Sequence, residues 1–187
     1  MTLRITGGEY RGRRLRVPNS ADLRPTSDRV RGAIFSILGP DLLEDARVLD
    51  LYAGTGALGI EGLSRGAAWA DFVEANGRRA QQLRANLQLL ELSGSSKVHT
   101  GKVETVVDRL DGGYDLVMAD PPYSVDDLTE LMEILSKKGT LANESVVVIE
   151  HRHDTVIAEV HKRLELVTRR RYGDTSVSIY RAGAIDD

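Results

Sequence analysis

Apolar runs of four to six residues alternate with amphipathic stretches along most of the chain. Arg47-Val48-Leu49-Asp50-Leu51 is such a run, followed by a glycine-rich corner, Gly54-Thr55-Gly56-Ala57-Leu58-Gly59. This pattern predicts a buried strand, a tight loop and then a helix over Ala57–Arg65. The same reading places strands at Trp69–Glu74, Lys97–Thr100, Tyr114–Ala119 and Ser145–Glu150, the last very apolar and therefore central. Helices are expected over Gly77–Leu92, Val103–Leu110 and Asp126–Lys138, the last with Leu128, Leu131, Met132 and Leu135 inward. Arg163–Tyr172 and Ser176–Arg181 alternate and flank the turn Gly173-Asp174-Thr175, as in a closing antiparallel hairpin. Strands alternating with helices give a parallel sheet covered on both faces.

The N-terminal stretch differs. Leu3-Arg4-Ile5-Thr6 and Arg13-Arg14-Leu15-Arg16-Val17 set arginine beside aliphatic residues and are joined through glycines, which predicts a hairpin. A two-stranded hairpin alone is marginal, so a mobile arm is expected. Residues 18–27 read as a loop. Thr26 or Ser27 caps a helix over Asp28–Leu38 in which Val30, Ile34, Ile37 and Leu38 share a face. The expected division is a basic arm over residues 1–27 and a main domain over residues 28–187.

Charge sharpens this picture. The net charge of −3 hides eight arginines against three acids in residues 1–31, with 17 basic and 25 acidic groups in the rest. A basic arm on an acidic body suits an anionic partner such as nucleic acid. Arg4, Arg11, Arg13, Arg14, Arg24 and Arg29 are the candidate contacts, and Arg31 is a candidate for RNA phosphate or a cofactor carboxylate. Tyr10 is a candidate for stacking on a base. The 187 residues suit one domain. There is no cysteine, hence no disulfide or thiolate chemistry. No apolar run spans a membrane and the first residues lack a signal-peptide core, so a cytoplasmic protein is expected. His151 and His153 alternate at a strand end, but with no third ligand they read as exposed side chains, and no metal is expected.

Two cofactor classes use a loop like that of residues 50–59. Gly54-Thr55-Gly56-Ala57-Leu58-Gly59 matches the dinucleotide fingerprint, with Glu74 twenty residues on as a ribose-binding acid. Asp50 argues against a dinucleotide, because a carboxylate beside a pyrophosphate is repulsive. It suits S-adenosylmethionine (SAM), which brings a sulfonium and an ammonium. Asp50, Tyr52, Ala53, Gly54, Thr55, Gly56, Glu74 and the corner at Val103 form the candidate cofactor set. Asp50, Glu74, the Gly101-Lys102-Val103 corner and Asp120 all fall at strand ends, where such folds bind ligands.

Asp120-Pro121-Pro122-Tyr123 follows the fourth strand. Two prolines stiffen the corner and remove two N–H donors, leaving carbonyls outward. The Asp120 carboxylate and Pro121 carbonyl can accept the two N–H bonds of an exocyclic amine, and Tyr123 can stack on an extruded base. Pro122 lies beside them at the substrate. Such positioning raises an amine's reactivity toward a methyl sulfonium. Together the two motifs are similar to the amino-methyltransferases, which act on adenine, cytosine or guanine amines or on glutamine amides.

The chain also resembles a more specific family. Arg4-Ile5-Thr6-Gly7-Gly8-Glu9-Tyr10-Arg11-Gly12-Arg13-Arg14-Leu15, Arg24-Pro25-Thr26-Ser27-Asp28-Arg29-Val30-Arg31 and Tyr172-Gly173-Asp174-Thr175, with the two motifs above, resemble the RsmD-type bacterial small-subunit rRNA methyltransferases over nearly the whole chain. The resemblance implies a Rossmann-like class I SAM-dependent methyltransferase with a seven-stranded, mostly parallel sheet and an N-terminal β-hairpin arm. It also implies methylation of the N2 amine of guanine 966 in 16S rRNA, on an assembled or nearly assembled small subunit. A monomer is expected. Asp50, Gly54 and Gly56 would line the cofactor loop, and Glu74 would hold the ribose. Asp120, Pro121 and Tyr123 would hold the guanine. One departure is the third strand's corner, where Gly101-Lys102-Val103 replaces the usual Asp or Asn for the cofactor adenine, leaving a backbone group of Val103. Rival readings are an amino-methyltransferase of DNA adenine N6 or protein glutamine, and a non-enzymatic RNA-binding ribosome assembly factor.

Overall fold

The computed structural model describes residues 3–17, 26–122, 128–137 and 139–184. Strands β1 (Leu3–Arg4) and β2 (Arg14–Leu15) pair as a small antiparallel hairpin, followed by helix α1 (Asp28–Leu38). The body then runs β3 (Arg47–Leu51), α2 (Ala57–Ser64), β4 (Trp69–Glu74), α3 (Gly77–Leu89), β5 (Ser96–Thr100), α4 (Val103–Val106), β6 (Tyr114–Ala119), α5 (Thr129–Leu135), β7 (Leu141–Arg152), β8 (Val160–His161), β9 (Leu164–Tyr172) and β10 (Thr175–Ala182). The sheet order is β5-β4-β3-β6-β7-β10-β9-β8, parallel from β5 to β7 and antiparallel beyond. The seven expected strands are all in it. The eighth, β8, has two residues and escapes a reading based on periodicity.

Alternation along each strand separates two cores. Val48, Phe72, Met118 and Val148 face α1, α2, α3 and the hairpin. Leu49, Leu51, Val73, Val117 and Ile149 face α4 and α5. β3 has β4 on one side and β6 on the other, so the chain reverses direction across the sheet there. In open α/β sheets that reversal opens a crevice at the carboxyl ends of the strands. α2 is buried along its whole length, and its close approach depends on Gly59. A Cβ there would lie 2.3 Å from the Phe72 ring and 3.1 Å from Asp50 Cβ. The third glycine of the fingerprint therefore serves packing of helix on sheet.

The expected mobile hairpin is instead docked. Leu3, Ile5 and Leu15 are buried in the same core as α2 and α3, and Tyr10 packs partly buried against it, so its ring is already engaged. Thr6 donates through its N–H and hydroxyl to Glu61 at 2.9 and 2.6 Å. The Glu9 N–H donates to the Ser64 carbonyl, and the Tyr10 N–H to Ser64 Oγ. Asn86 accepts from the Arg16 N–H, donates to its carbonyl, and also reaches the Thr55 carbonyl of the glycine loop. The hairpin is marginal alone, but α2 and α3 supply its partners.

Arg31 departs furthest from expectation. It is wholly buried rather than free for phosphate. Its guanidinium donates to the carbonyls of Arg4 and, at 2.7 Å, Thr26, and pairs with Asp28 at 2.9 Å. The buried face of α1 is consequently Val30, Arg31, Ile34 and Phe35, while Ile37 is exposed. His151 is buried too, because β10 pairs against it, and its ring contacts Ser178 Oγ and the Arg152 carbonyl. Burial lowers its pKa. His153 is exposed as expected. Ala182 closes β10 as a buried residue. Among the described residues no helix is long and apolar enough to cross a membrane.

Candidate active site

β3 ends at Leu51, and the chain reverses through Tyr52, whose φ of +58° lies in the left-handed region that a bulky residue seldom adopts. Such strain persists only where the surroundings hold it, and it clusters at functional loops. The Ala53 N–H donates to the Val73 carbonyl, and the Gly56 N–H returns to the Ala53 carbonyl at 2.7 Å, closing a tight turn. Gly56 begins α2 with φ +78°, and a Cβ there would meet Leu83 at 2.1 Å. Thr55 is buried beneath the turn.

Two carboxylates set this loop. Glu74, at the end of β4, accepts from the Gly54 N–H at 2.8 Å and from the Asn76 N–H at 2.7 Å. It thereby ties the glycine loop to the start of α3. Asp50 is 1% exposed and accepts from the Gly59 N–H at 2.8 Å. Burial pushes its carboxyl up to about 8, with the Gly59 N–H opposing and the Glu74 charge adding. Asp50 thus lies under the loop as well as beside the crevice. The side chain of Val103 is buried in the core facing α4, and the Gly101 N–H donates to the Glu74 carbonyl at 3.1 Å, which sets this corner beside the end of β4. Tyr52 is half-buried, and burial with the charges of Glu104 and Glu130 raises its phenol to about 12.

Asp120 follows β6 directly, its N–H reaching the Leu51 carbonyl at 3.4 Å. The Thr26 hydroxyl lies 3.2 Å from Asp120 Oδ2 and 2.9 Å from Glu150 Oε2. Burial raises the Asp120 carboxyl well above its ordinary range; the Glu150 charge adds to this, the Thr26 bond opposes it, and Asp50 contributes further. Pro121 is buried and Pro122 exposed. Tyr123 and Arg24 lie outside the described residues.

The strand-end residues named from sequence are therefore gathered at one crevice: Asp50, the loop from Tyr52 to Gly56, Glu74, the Val103 corner and Asp120. Two partners of Asp120 were missed. The sequence offers Thr26 or Ser27 as helix cap, and Ser27 is the cap, accepting from the Val30 N–H. Thr26 is thereby free to turn into the crevice. Glu150 ends the very apolar run of β7, and the strand-end rule that picked out Asp50, Glu74 and Asp120 would have found it. A cavity of about 370 Å³ opens at the other, amino-terminal end of the sheet, lined by Asp41, Glu44, Asp45, Asp115 and Glu144 among others. It shares no residue with the crevice.

The arginines divide. Arg4, Arg11, Arg13, Arg14 and Arg29 are exposed. Arg13 spends one donor on the Leu89 carbonyl, and Arg4 lends its carbonyl to Arg31. Nearer the C-terminus, Arg163 donates to the carbonyls of Leu141 and Gly183.

The family described as Conserved hypothetical protein 95 matches residues 3–181. Ribosomal RNA small subunit methyltransferase D of Escherichia coli (strain K12) is 36% identical over 182 residues, covering 97% of this chain and 91% of that protein. The Haemophilus influenzae protein of the same name is 33% identical over 155 residues, 81% of this chain and 80% of its own. Among solved structures, "Putative methyltransferase yhhF from Escherichia coli" superposes with a TM-score of 0.88 at 34% identity, covering 99% of this chain and all of that one. The motifs, the sheet order and these matches agree, and the chain belongs to the Conserved hypothetical protein 95 family, the RsmD-type methyltransferases.

Proposed function

We propose that this protein transfers the methyl group of SAM to rRNA of the small ribosomal subunit, with the N2 amine of guanine 966 in 16S rRNA as acceptor. The observation that carries the reading is the placement of Asp120 and Pro121 at the crevice that also holds the glycine loop. Four carboxyl groups (Asp50, Glu74, Asp120 and Glu150) lie at these strand ends. That acidic setting fits a cationic cofactor and opposes the pyrophosphate of a dinucleotide. Bound there, SAM supplies an electrophilic methyl on sulfur. Gly54 and Gly56 allow close approach of backbone, and Glu74 can accept bonds from ribose hydroxyls. Asp120 and the Pro121 carbonyl orient the amine, and Tyr123 stacks on the base.

In this reading the arm of residues 1–27 docks RNA and residues 28–187 carry transfer, with Thr26 at the junction facing Asp120. The division is one of labour rather than of core, since Leu3, Ile5 and Leu15 are packed with the body. The direct test is transfer of labelled methyl from SAM to small subunits lacking the modification, with nuclease mapping of the product. Label on guanine N2 is expected. Label on DNA adenine or protein glutamine instead would move the substrate, and SAM binding without any transfer would favour an assembly factor.

The arm makes a second prediction. Arg11→Gln and Arg14→Gln, at exposed positions, are expected to weaken subunit binding. Each lost phosphate contact should also flatten the dependence of log affinity on log salt by about 0.7–0.9. A slope equal to that of the parent protein would show that the arm does not touch RNA phosphate.

A further inference from the structure

A hydroxyl has one hydrogen, yet Thr26 Oγ lies within hydrogen-bond distance of two carboxyl groups, 3.2 Å from Asp120 and 2.9 Å from Glu150. Both contacts are bonds only when one of the acids carries a proton: that acid donates to Thr26, and Thr26 donates to the other. Thr26 and Glu150 are 5% and 7% exposed, so water is a poor substitute for either partner. Two carboxylates in such a site do not both ionise readily, and the pair titrates as a unit. The Thr26 carbonyl is itself held by the buried Arg31. The unit is therefore fixed from three directions, by the segment before α1, by β6 and by β7.

We propose that Thr26 and Glu150 are positioning residues for methyl transfer, making Asp120 the group that takes the proton from the substrate amine. The inference rests on the reading that Asp120 faces that amine. In the step, the nitrogen lone pair forms the N–C bond and the electron pair of the S–C bond stays on sulfur. One amine proton passes to Asp120. An ordinary carboxylate is a weak base at neutral pH. Asp120 acts once the pair has lost its shared proton; in that ionised form the Glu150 charge, with that of Asp50 on β3, strengthens Asp120 as a base, and the Thr26 hydroxyl tempers the effect.

The two neighbours act in opposite directions, which a merely structural role would not reproduce. The measurement is the single-turnover rate of methyl transfer to small subunits across pH. Glu150→Gln removes the like charge, so the acid limb should move down by about one pH unit. The plateau rate should fall several-fold, because Asp120 becomes a weaker base. Thr26→Val keeps shape and removes the tempering bond, so the limb should move up, and Thr26→Ser should restore it. Lower rates with the limb unmoved in both Glu150→Gln and Thr26→Val would overturn the proposal. Thermal denaturation of each variant separates loss of fold from loss of rate. If the underlying reading were wrong, the parent protein would transfer no methyl or Asp120→Ala would remain active. Either result differs from an unmoved limb in an active parent protein whose Asp120→Ala variant is dead.

Discussion

Asp120→Ala is expected to reduce methyl transfer by about 10³-fold or more while leaving SAM affinity within roughly twofold of the parent protein. Loss of a positioned acid–base group costs about 10²–10⁴ in rate, and loss of orientation adds to it. The variant is not expected to fail by unfolding. Burial and Glu150 raise the carboxyl well above its ordinary value in the folded chain. An acid so raised favours folding least at pH values above its unfolded value of 3.8, where the unfolded chain ionises freely and the folded chain does not. At neutral pH its removal therefore relieves a cost, and the bond from Thr26 to Glu150 remains. Rates on small subunits, calorimetric SAM binding and thermal denaturation together decide the matter. Transfer within tenfold of the parent would end the assignment of Asp120. Asp120→Asn keeps an acceptor but not a base, so it should fall between the two.

The largest effect on stability is expected at Arg31. Arg31→Ala leaves the carbonyls of Arg4 and Thr26 without their donor and takes one cation from the buried Glu61, 3.9 Å away. Breaking a buried charged network of this kind costs about 3–5 kcal/mol. Glu61 retains its 2.8 Å pair with Arg65, which places the expectation near the lower end. Urea unfolding measures it. Arg31→Lys should recover only part, since a single ammonium cannot reach the arm, the Thr26 carbonyl and Asp28 together. A loss below about 1 kcal/mol would show that the arm holds its place without this residue. The same variant should slow transfer, because Thr26 loses its anchor.

Arg31 also shows where sequence reasoning stops. A charged residue among other arginines reads as surface, and nothing local to residues 24–31 reveals that two carbonyls 27 and five positions away will turn toward it. The body of the fold was legible because periodicity is local. Trp69–Glu74 and Tyr114–Ala119 carry their burial in their own composition, and the strand-end rule then collects Asp50, Glu74 and Asp120 from the sequence. The hairpin's docking was not legible, since it depends on Glu61, Ser64 and Asn86, polar residues on faces that turn out to be buried. The burial of His151 is not legible for the same reason: whether a strand-end histidine is covered depends on which strand pairs beside it. Glu150 is legible by the same strand-end rule, although its place at the end of an apolar run also reads as packing.

The span of chain between Thr26 and Glu150, 124 residues, bears on the order in which the protein is made. At about 5–20 residues per second, synthesis needs roughly 6–25 s to travel from one to the other. The glycine loop and its clamp Glu74 emerge well before that interval ends, and so do the arm's partners on α2 and α3. A nascent chain can therefore assemble its glycine-loop crevice and seat its arm while Asp120 still lacks Glu150. Chains that terminate before β7 would carry the arm and the loop without the joined Thr26–Asp120–Glu150 corner.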